Sequence, residues 1–599
     1  MWRKVLDARL YRAAFAPFFL ALVVAAFSLT DRPHALGSPL APDAFDGARA
    51  FASLQGLAAQ YPDRRPGSPG DSALARVVER AFRASFCPPP SARGCSSVTV
   101  RHTRGQTIDG QRALETVVAT RLGQPGPGIV VLAHRDAAGG GAAAELSGTA
   151  ALMELARVYG GRTTKRTLTL VSTSGGSGGA AGAAQLAGAL PEGDKHPNAV
   201  LVLGDVASEH ARRPWVLPWS TGPRLAPVRL RRTLEQALRQ DTGEEPGGVR
   251  PVAQLARLAL PFGIGEEAPL NAAGVAAVEL QASGERGPAA GAPISEARLR
   301  GFGRAALRAV TALDEGPDLR EVPGATVVVL DKVLPPWVMR LLVGMLLAPL
   351  LLATVDGVAR VRRRKGLIAP WLRWLVGLAL PFAAAAAVAR LMGLAGLFGP
   401  VPGAVPAGRV GVSIAGVALT AAAFALGAVA VRPLHRALAA RGRHDDGGAA
   451  AALAVTMTVL AGAVWLVNPF AAALLVAPAH LWMLVALPEQ RLPRPLGPLL
   501  VLGALVPFVV VLAVFAAAVG ASVLQLPWSL LLLVAGGQLG VLSLVAYCVA
   551  AACGVGALRL AWRRRADRPE PATASVRGPM GYAGPGSLGG TDSAMRARR

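Results

Sequence analysis

The chain has 599 residues, enough for several domains, with 52% hydrophobic and only 17% charged residues and a mean hydropathy of +0.41. That composition excludes a wholly cytosolic protein and a disordered one. The net charge of +25 does not point to nucleic acid, because much of it lies in short clusters beside apolar runs long enough to cross a bilayer.

The first apolar segment, roughly Tyr11 to Thr30, follows Arg3, Lys4, Arg9 and Arg12 and reads as a signal peptide or a retained anchor. Ser28-Leu29-Thr30 runs into Asp31 and Arg32 with no clean small-x-small cleavage site, which favours the anchor. The next apolar region begins only near Pro335, so residues 31–334 form a polar segment ample for one domain with a large core.

Within that segment short β-branched runs alternate with amphipathic stretches. Val98 to His102, Ala113 to Arg121, Gly128 to Ala133, Thr167 to Ser172 and Ala199 to Leu203 read as strands, and Ala143 to Val158 and Ala180 to Ala189 as helices. The alternation predicts an α/β domain around a mixed, largely parallel sheet. Chemistry is expected at the carboxyl ends of the strands, at His134-Arg135-Asp136, at the glycine-rich run Ser174 to Gly179, and at Gly204-Asp205. The glycine-rich run lacks the Lys-Ser/Thr ending of a phosphate loop. Cys87 and Cys95 flank a Pro-Pro-Pro and Gly loop and read as a disulfide or as a free buried pair.

Three segments carry a resemblance: Pro62-Asp63-Arg64-Arg65-Pro66-Gly67-Ser68-Pro69-Gly70, Val130 to Asp136, and Leu146-Ser147-Gly148-Thr149 running to Arg157. In order and placement they resemble the di-zinc aminopeptidase family, which includes glutamate carboxypeptidase-like proteins, over about residues 50 to 312. The resemblance implies an aminopeptidase-like fold, two zinc ions sharing a bridging carboxylate, and a Glu that deprotonates the metal-bound water. Position by position, it places the first zinc-binding His on His134 and its orienting Asp on Asp136. The bridging Asp falls on Ala144, followed by Glu145, the Glu-Glu pair falls on Gly176 and Ser177, and a further Asp falls on Asp205. The last His ligand should lie around Glu285 to Pro293, yet no His occurs between residues 211 and 334.

A hydrolytic zinc needs about three protein ligands and a base near its water. The resemblance therefore implies lost ligands, a lost base and no catalytic residue. His134, Asp136 and Asp205 are either polar relics at strand ends, or with Glu145 they hold one zinc ion; the expectation is no cofactor.

Beyond Pro335 seven more apolar runs follow, about 337–357, 367–392, 409–431, 449–467, 469–487, 497–519 and 527–552, giving eight spans in all. With eight spans every arginine cluster, at the N-terminus, Arg360 to Lys365, Arg432 to Arg443, Arg491 and Arg494, and Arg559 to Arg565, falls on one side. By the positive-inside rule that side is cytoplasmic. The expected domains are a stub and anchor (1–30), an extracytoplasmic α/β domain (31–334), a seven-helix transmembrane bundle (335–560) and a disordered basic cytoplasmic tail (561–599). His480 is the one deep intramembrane ionisable group of note.

This layout is similar to that of the large non-catalytic subunit of the GPI transamidase complex. It predicts a multi-pass cell-membrane protein whose peptidase-like domain has lost catalysis and binds an unknown protein or peptide partner, with no nucleic acid. The alternatives are an active metallopeptidase with a reduced site, and a transporter with a regulatory ectodomain.

Overall fold

The computed structural model describes residues 8–87, 97–137, 142–190, 196–209, 213–247, 249–319, 321–398, 411–433, 436, 446–487, 493 and 495–566. A two-residue strand β1 (Thr30–Asp31) precedes the main sheet, whose strands are β2 (Val98–Thr107), β3 (Gly110–Arg121), β4 (Gln124–His134), β5 (Arg166–Thr173), β6 (Ala199–Leu203), β7 (Trp215–Leu217) and β8 (Ala277–Gln281). Their order across the sheet is β2-β3-β5-β4-β6-β8-β7. The four central strands β5, β4, β6 and β8 run parallel, and β3 and β7 join them antiparallel.

Covered on both faces, a parallel sheet demands near-continuous apolar strands, and β6, Ala-Val-Leu-Val-Leu, is buried at every residue. One layer of helices, including Gly47–Gln60, Pro69–Phe86, Ser147–Gly160 and Glu296–Glu315, meets the sheet through Leu54, Leu74, Phe82, Leu152, Leu155 and Phe302. Helix Pro69–Phe86 shows why such helices form: the Ser68 hydroxyl caps Asp71 N–H, Pro69 opens the first turn, and Leu74, Val78 and Phe82 share the buried face. On the other face Leu186 and Leu270 pack on Val118, Val130 and Val200. The strands and helices expected between residues 98 and 203 are all present; β7 and β8 were not foreseen.

Strands β9 (Val327–Val329) and β10 (Lys332–Leu334) pair with β1 in a small antiparallel sheet where the chain leaves the α/β domain. Helix Pro336–Arg363 follows directly. Six helices among the described residues are long and apolar enough to cross a membrane: Arg9–Phe27, Pro336–Arg363, Ala369–Leu394, Gly447–Val467, Pro469–Ala486 and Val541–Trp562. Leu496–Gly503 and Val506–Val519, bent by 43°, make a seventh if they form one broken span. Ile414–Ala430 has 17 residues and falls short, so the expected eight is not reached by this measure.

The last expected span, 527–552, is redrawn. Helix Gln525–Ala535 stops at a glycine pair whose second member, Gly537, lies at φ +74, and a new helix starts at Val541. A hydropathy window averages over such a break, because Gly removes little apolarity while ending the helix. Cys87 is disulfide-bonded, Cys548 and Cys553 are free, and Cys95 lies outside the described residues, as does the tail beyond residue 566.

His480 is satisfied within the bundle. Its Nε2 donates to Leu346 O at 2.9 Å, and its Nδ1 accepts from the Tyr11 hydroxyl at 2.6 Å, with Phe15 against the ring. This pins the N-terminal apolar helix to the other helices. Where those helices meet the α/β domain, Asn468 donates to Leu258 O at 2.7 Å and Phe515 stacks edge-on against Phe262 at 5.4 Å. Helix Pro336–Arg363 likewise has Pro336 at the domain end and Arg360, Arg362 and Arg363 in its far turn.

Candidate functional site

At the carboxyl ends of the parallel strands one pocket is lined by His134, Glu145, Gly176, Ser177, Asp205, Glu266, Glu279, Gln281, Glu285 and Arg286, among others. Each side chain is delivered by a short segment. β4 ends on His134, the turn after β5 carries Gly176 and Ser177, and β6 leads through Gly204 to Asp205. Glu145 comes from the helical turn Ala143–Leu146, Glu279 and Gln281 from β8, and Glu266 from the loop before helix Glu267–Ala272.

The residues around Gly148 hold this end together. A Cβ at Gly148 would lie 2.1 Å from Leu203 O, so only glycine lets helix Ser147–Gly160 abut the end of β6. The neighbouring Ser147 hydroxyl donates to Ala144 O at 2.6 Å and accepts from Val206 N at 2.8 Å, tying the Glu145 turn to the Asp205 loop. Asp205 is fixed in turn: Gln281 Oε1 accepts from its backbone N–H at 3.0 Å, and its own Oδ1 accepts from Ala207 and Ser208. Ala144 lies buried beneath this turn, and Glu145 reaches the pocket in its place.

Asp136 stands behind His134, outside the pocket lining. Its carboxylate accepts from Gly176 N at 3.0 Å, from Ser177 N at 3.1 Å and from the Ser177 hydroxyl at 2.8 Å, while His134 Nδ1 lies 3.1 Å from Asp136 O and 3.7 Å from Oδ1. Gly176 packs flat against that imidazole: a Cβ there would lie 2.3 Å from His134 Cβ. Position 176 therefore has no room for a side chain while His134 keeps its place.

Charge in the site is organised around His134. Burial opposes its protonation, but the hydrogen bond to Asp136 and the charges of Glu266, Asp136 and Glu145 outweigh that and lift it to about 10. Burial likewise works against the charge on Asp136, and the bonds from His134, Ser177 and Gly176 still bring it down to about 2. Glu266 is pushed up to about 7, chiefly by burial, with the Glu279 charge adding and His134 opposing. Burial and the neighbouring Glu279 raise Glu267 well above the carboxylate range, and burial raises Glu285 against the pull of Arg257.

Of the residues the sequence placed at one site, His134, Glu145, Gly176, Ser177 and Asp205 line one pocket, whereas Asp136 and Ala144 are not in its lining. Sequence reasoning missed Glu266, Glu279, Gln281 and Glu285. A usable signal was present, since Glu266, Glu267 and Glu279 interrupt the otherwise mostly apolar stretch Leu258 to Leu280. Glu285 occupies the start of the window in which a last His was sought. Arg135, between the two site residues, turns inward as structural support: its Nε lies 2.8 Å from Asp71 Oδ1, and its Nη atoms donate to Ser172 O and Glu115 O.

The donor set does not fit a two-zinc centre. Among the described residues no group of three His, Cys, Asp or Glu is disposed to hold a metal. Asp205 Oδ1 is engaged by backbone, and Gly176 cannot be substituted by a ligand without displacing His134.

No family model matches the chain, and no curated protein matches it. Solved structures similar to it include LapB from Legionella pneumophila, at 15% identity and a TM-score of 0.38, covering 50% of this chain and 81% of that one. Another is a glutaminyl cyclase from an Acidobacteriales bacterium, at 17% identity and a TM-score of 0.35, covering 48% of this chain and 99% of that one. A third, an aminopeptidase from Aneurinibacillus sp. strain AM-1, has 14% identity and a TM-score of 0.33, covering 47% of this chain and 97% of that one.

Proposed function

We propose that this protein is a multi-pass membrane protein whose peptidase-like domain lies outside the cytoplasm, does not hydrolyse peptides, and serves as a binding or assembly module for a protein or peptide partner. The observation that carries this is Gly176. Peptide hydrolysis by a metal-bound water needs a base, worth typically about 10² to 10⁴ in rate. Where the resemblance puts that base stands a glycine with no room for a side chain, its N–H spent on Asp136. The layout similarity to the non-catalytic subunit of the GPI transamidase complex supports an assembly role by analogy only.

One observation favours a second reading. Glu266 lines the pocket near His134, and a carboxyl raised to about 7 is well matched to general-base work. A reduced-site hydrolase would use it. The full-length protein in detergent, assayed with aminoacyl and peptidyl substrates and excess zinc, is expected to show no turnover above background. Turnover abolished by Glu266→Gln or Asp205→Ala would establish the hydrolase instead. A transporter reading lacks such support, because both ring nitrogens of His480 are taken by Tyr11 and Leu346.

The arginines support this orientation. Arg360, Arg362 and Arg363 close helix Pro336–Arg363 at the end opposite the α/β domain, which the positive-inside rule reads as the cytoplasmic side. A reporter inserted near Gly243 is expected to be extracytoplasmic and one fused after Arg565 cytoplasmic. Both reporters on one side would reject this topology.

A further inference from the structure

We infer that the open edge of β2 is the docking surface for the partner, and that it takes an acidic, extended protein segment as an added strand. This rests on the binding-module reading and gives its partner a surface built from residues outside the strand-end pocket lining. The seven-stranded sheet has two edges. At one, β7 is three residues long and is partly covered, since Trp215 bridges to Gly247, whose N–H donates to Pro214 O at 2.6 Å. At the other, the ten residues of β2 pair with β3 alone, in unbroken register from Val98 opposite Ala119 to Thr107 opposite Gly110. Thr120 N–H donates to Ser97 O at 2.7 Å. By antiparallel alternation Thr99, Arg101 and Thr103 then bond to β3, while Val100, His102 and Arg104 turn their N–H and C=O outward. Gln185 donates to Arg104 O, as that direction requires. Among the described residues the outward backbone groups of Val100 and His102 meet no partner. A long, regular open edge is a template for another strand.

Charge selects the partner. β2 has no acidic residue, and the segment leading into it, residues 88–97, carries Arg93 and no acidic residue either. Arg101, His102 and Arg104 are exposed on β2 and Arg112 on β3; Arg76 and Arg80 are exposed on helix Pro69–Phe86, which packs along both strands. Among the described residues none of these five arginines makes an ion pair, whereas the neighbouring acids are engaged. Glu79 pairs with Arg83 at 2.8 Å, and Glu115 accepts from the Ser72 hydroxyl at 3.1 Å. Two copies of β2 set edge to edge would bring like charges face to face, which disfavours self-pairing. An acidic strand converts the same arginines into opposite-charge cross-strand partners. Main-chain bonds then supply affinity, and arginines on both faces of β2, Arg101 on one and Arg104 on the other, supply selectivity.

Fluorescence anisotropy on the full-length protein in detergent tests this, with a labelled peptide of alternating Thr and Glu, matched in length to β2 and blocked at both ends, as the probe. The peptide is expected to bind, and its alternating Thr and Lys counterpart about tenfold more weakly or less. Methylating the amide nitrogens of two adjacent central residues blocks both edges of the peptide and is expected to cost about tenfold as well. On the protein, Arg101→Ser combined with Arg104→Ser should weaken the peptide about tenfold. His102→Pro, which removes an outward N–H and no bond to β3, should do the same. Should His102→Pro fail to fold, the methylated peptide still decides the main-chain contact. No binding, equal binding of the Lys peptide, indifference to methylation, or indifference to the arginine pair would overturn the inference. So would tighter binding of single-stranded RNA or of short-chain phosphatidylglycerol than of the peptide, or self-association of the doubly substituted protein with peptide affinity unchanged. Turnover of peptide substrates would overturn the reading beneath it, whereas absence of both turnover and strand binding sinks the inference alone.

Discussion

Arg135→Met is expected to destabilise the protein by about 3–5 kcal/mol, lowering the melting temperature by roughly 10 °C or more. Arg135 is fully buried, its Nε 2.8 Å from Asp71 Oδ1, and its two Nη atoms donate to Ser172 O at 3.1 Å and Glu115 O at 2.7 Å. The guanidinium thus bridges helix Pro69–Phe86, β5 and β3 beneath the pocket. Methionine fills much of the volume but leaves Asp71 buried without its cation, and burial already raises the Asp71 carboxyl against Arg135. Because the loss comes from the stranded charge more than from the pair itself, Asp71→Asn in the Arg135→Met background should restore part of it. Thermal melts of the detergent-solubilised full chain check both variants. A loss below about 1 kcal/mol would mean that the pair is hydrated in solution.

Stability is expected to be highest at about pH 4–5 and to fall as the solution becomes neutral and then alkaline. Glu266 ionises near 4.5 when unfolded and at about 7 when folded. Its contribution is full below pH 4.5 and lost as pH rises through 7, a swing of about 3 kcal/mol. His134, raised from 6.5 to about 10, adds a second contribution of the same sign, complete below pH 6.5 and lost as pH rises through 10. Asp136 acts oppositely: depressed from 3.8 to about 2, it stabilises above pH 3.8 and stops doing so as pH falls through 2. Melting temperatures from pH 3 to 10 should trace this profile. Glu266→Gln should flatten the limb between pH 4.5 and 7 while keeping the alkaline limb; an unchanged fall between pH 4.5 and 7 would refute the assignment to Glu266.

Much of the fold was legible from local pattern. The strands from Val98 to Leu203 and the helices among them were readable because central parallel strands must be apolar throughout and helices must bury one stripe, constraints that act residue by residue. The two-strand extension of the sheet was not readable. β8, Ala-Val-Glu-Leu-Gln, is wholly buried yet carries Glu279 and Gln281, and a polar residue in so short a run hides the strand until its partners are known. The same holds for helix Gln525–Ala535, whose apolar residues merge with the next helix in any average along the chain.

By itself the sequence determined the division into a polar α/β segment and an apolar helical one, and the position of His134, Asp136 and Asp205 at strand ends. These follow from composition and periodicity. Tertiary structure alone decided that Gly176 is closed by the His134 ring, that Glu266, Glu279 and Glu285 converge on the same pocket as His134 and Asp205, and that Arg286 reaches Gly520 at the end of the apolar helix Val506–Val519. Such facts depend on contacts between segments far apart in the chain, whose register is set by packing of the whole domain and leaves no periodic trace in the local sequence.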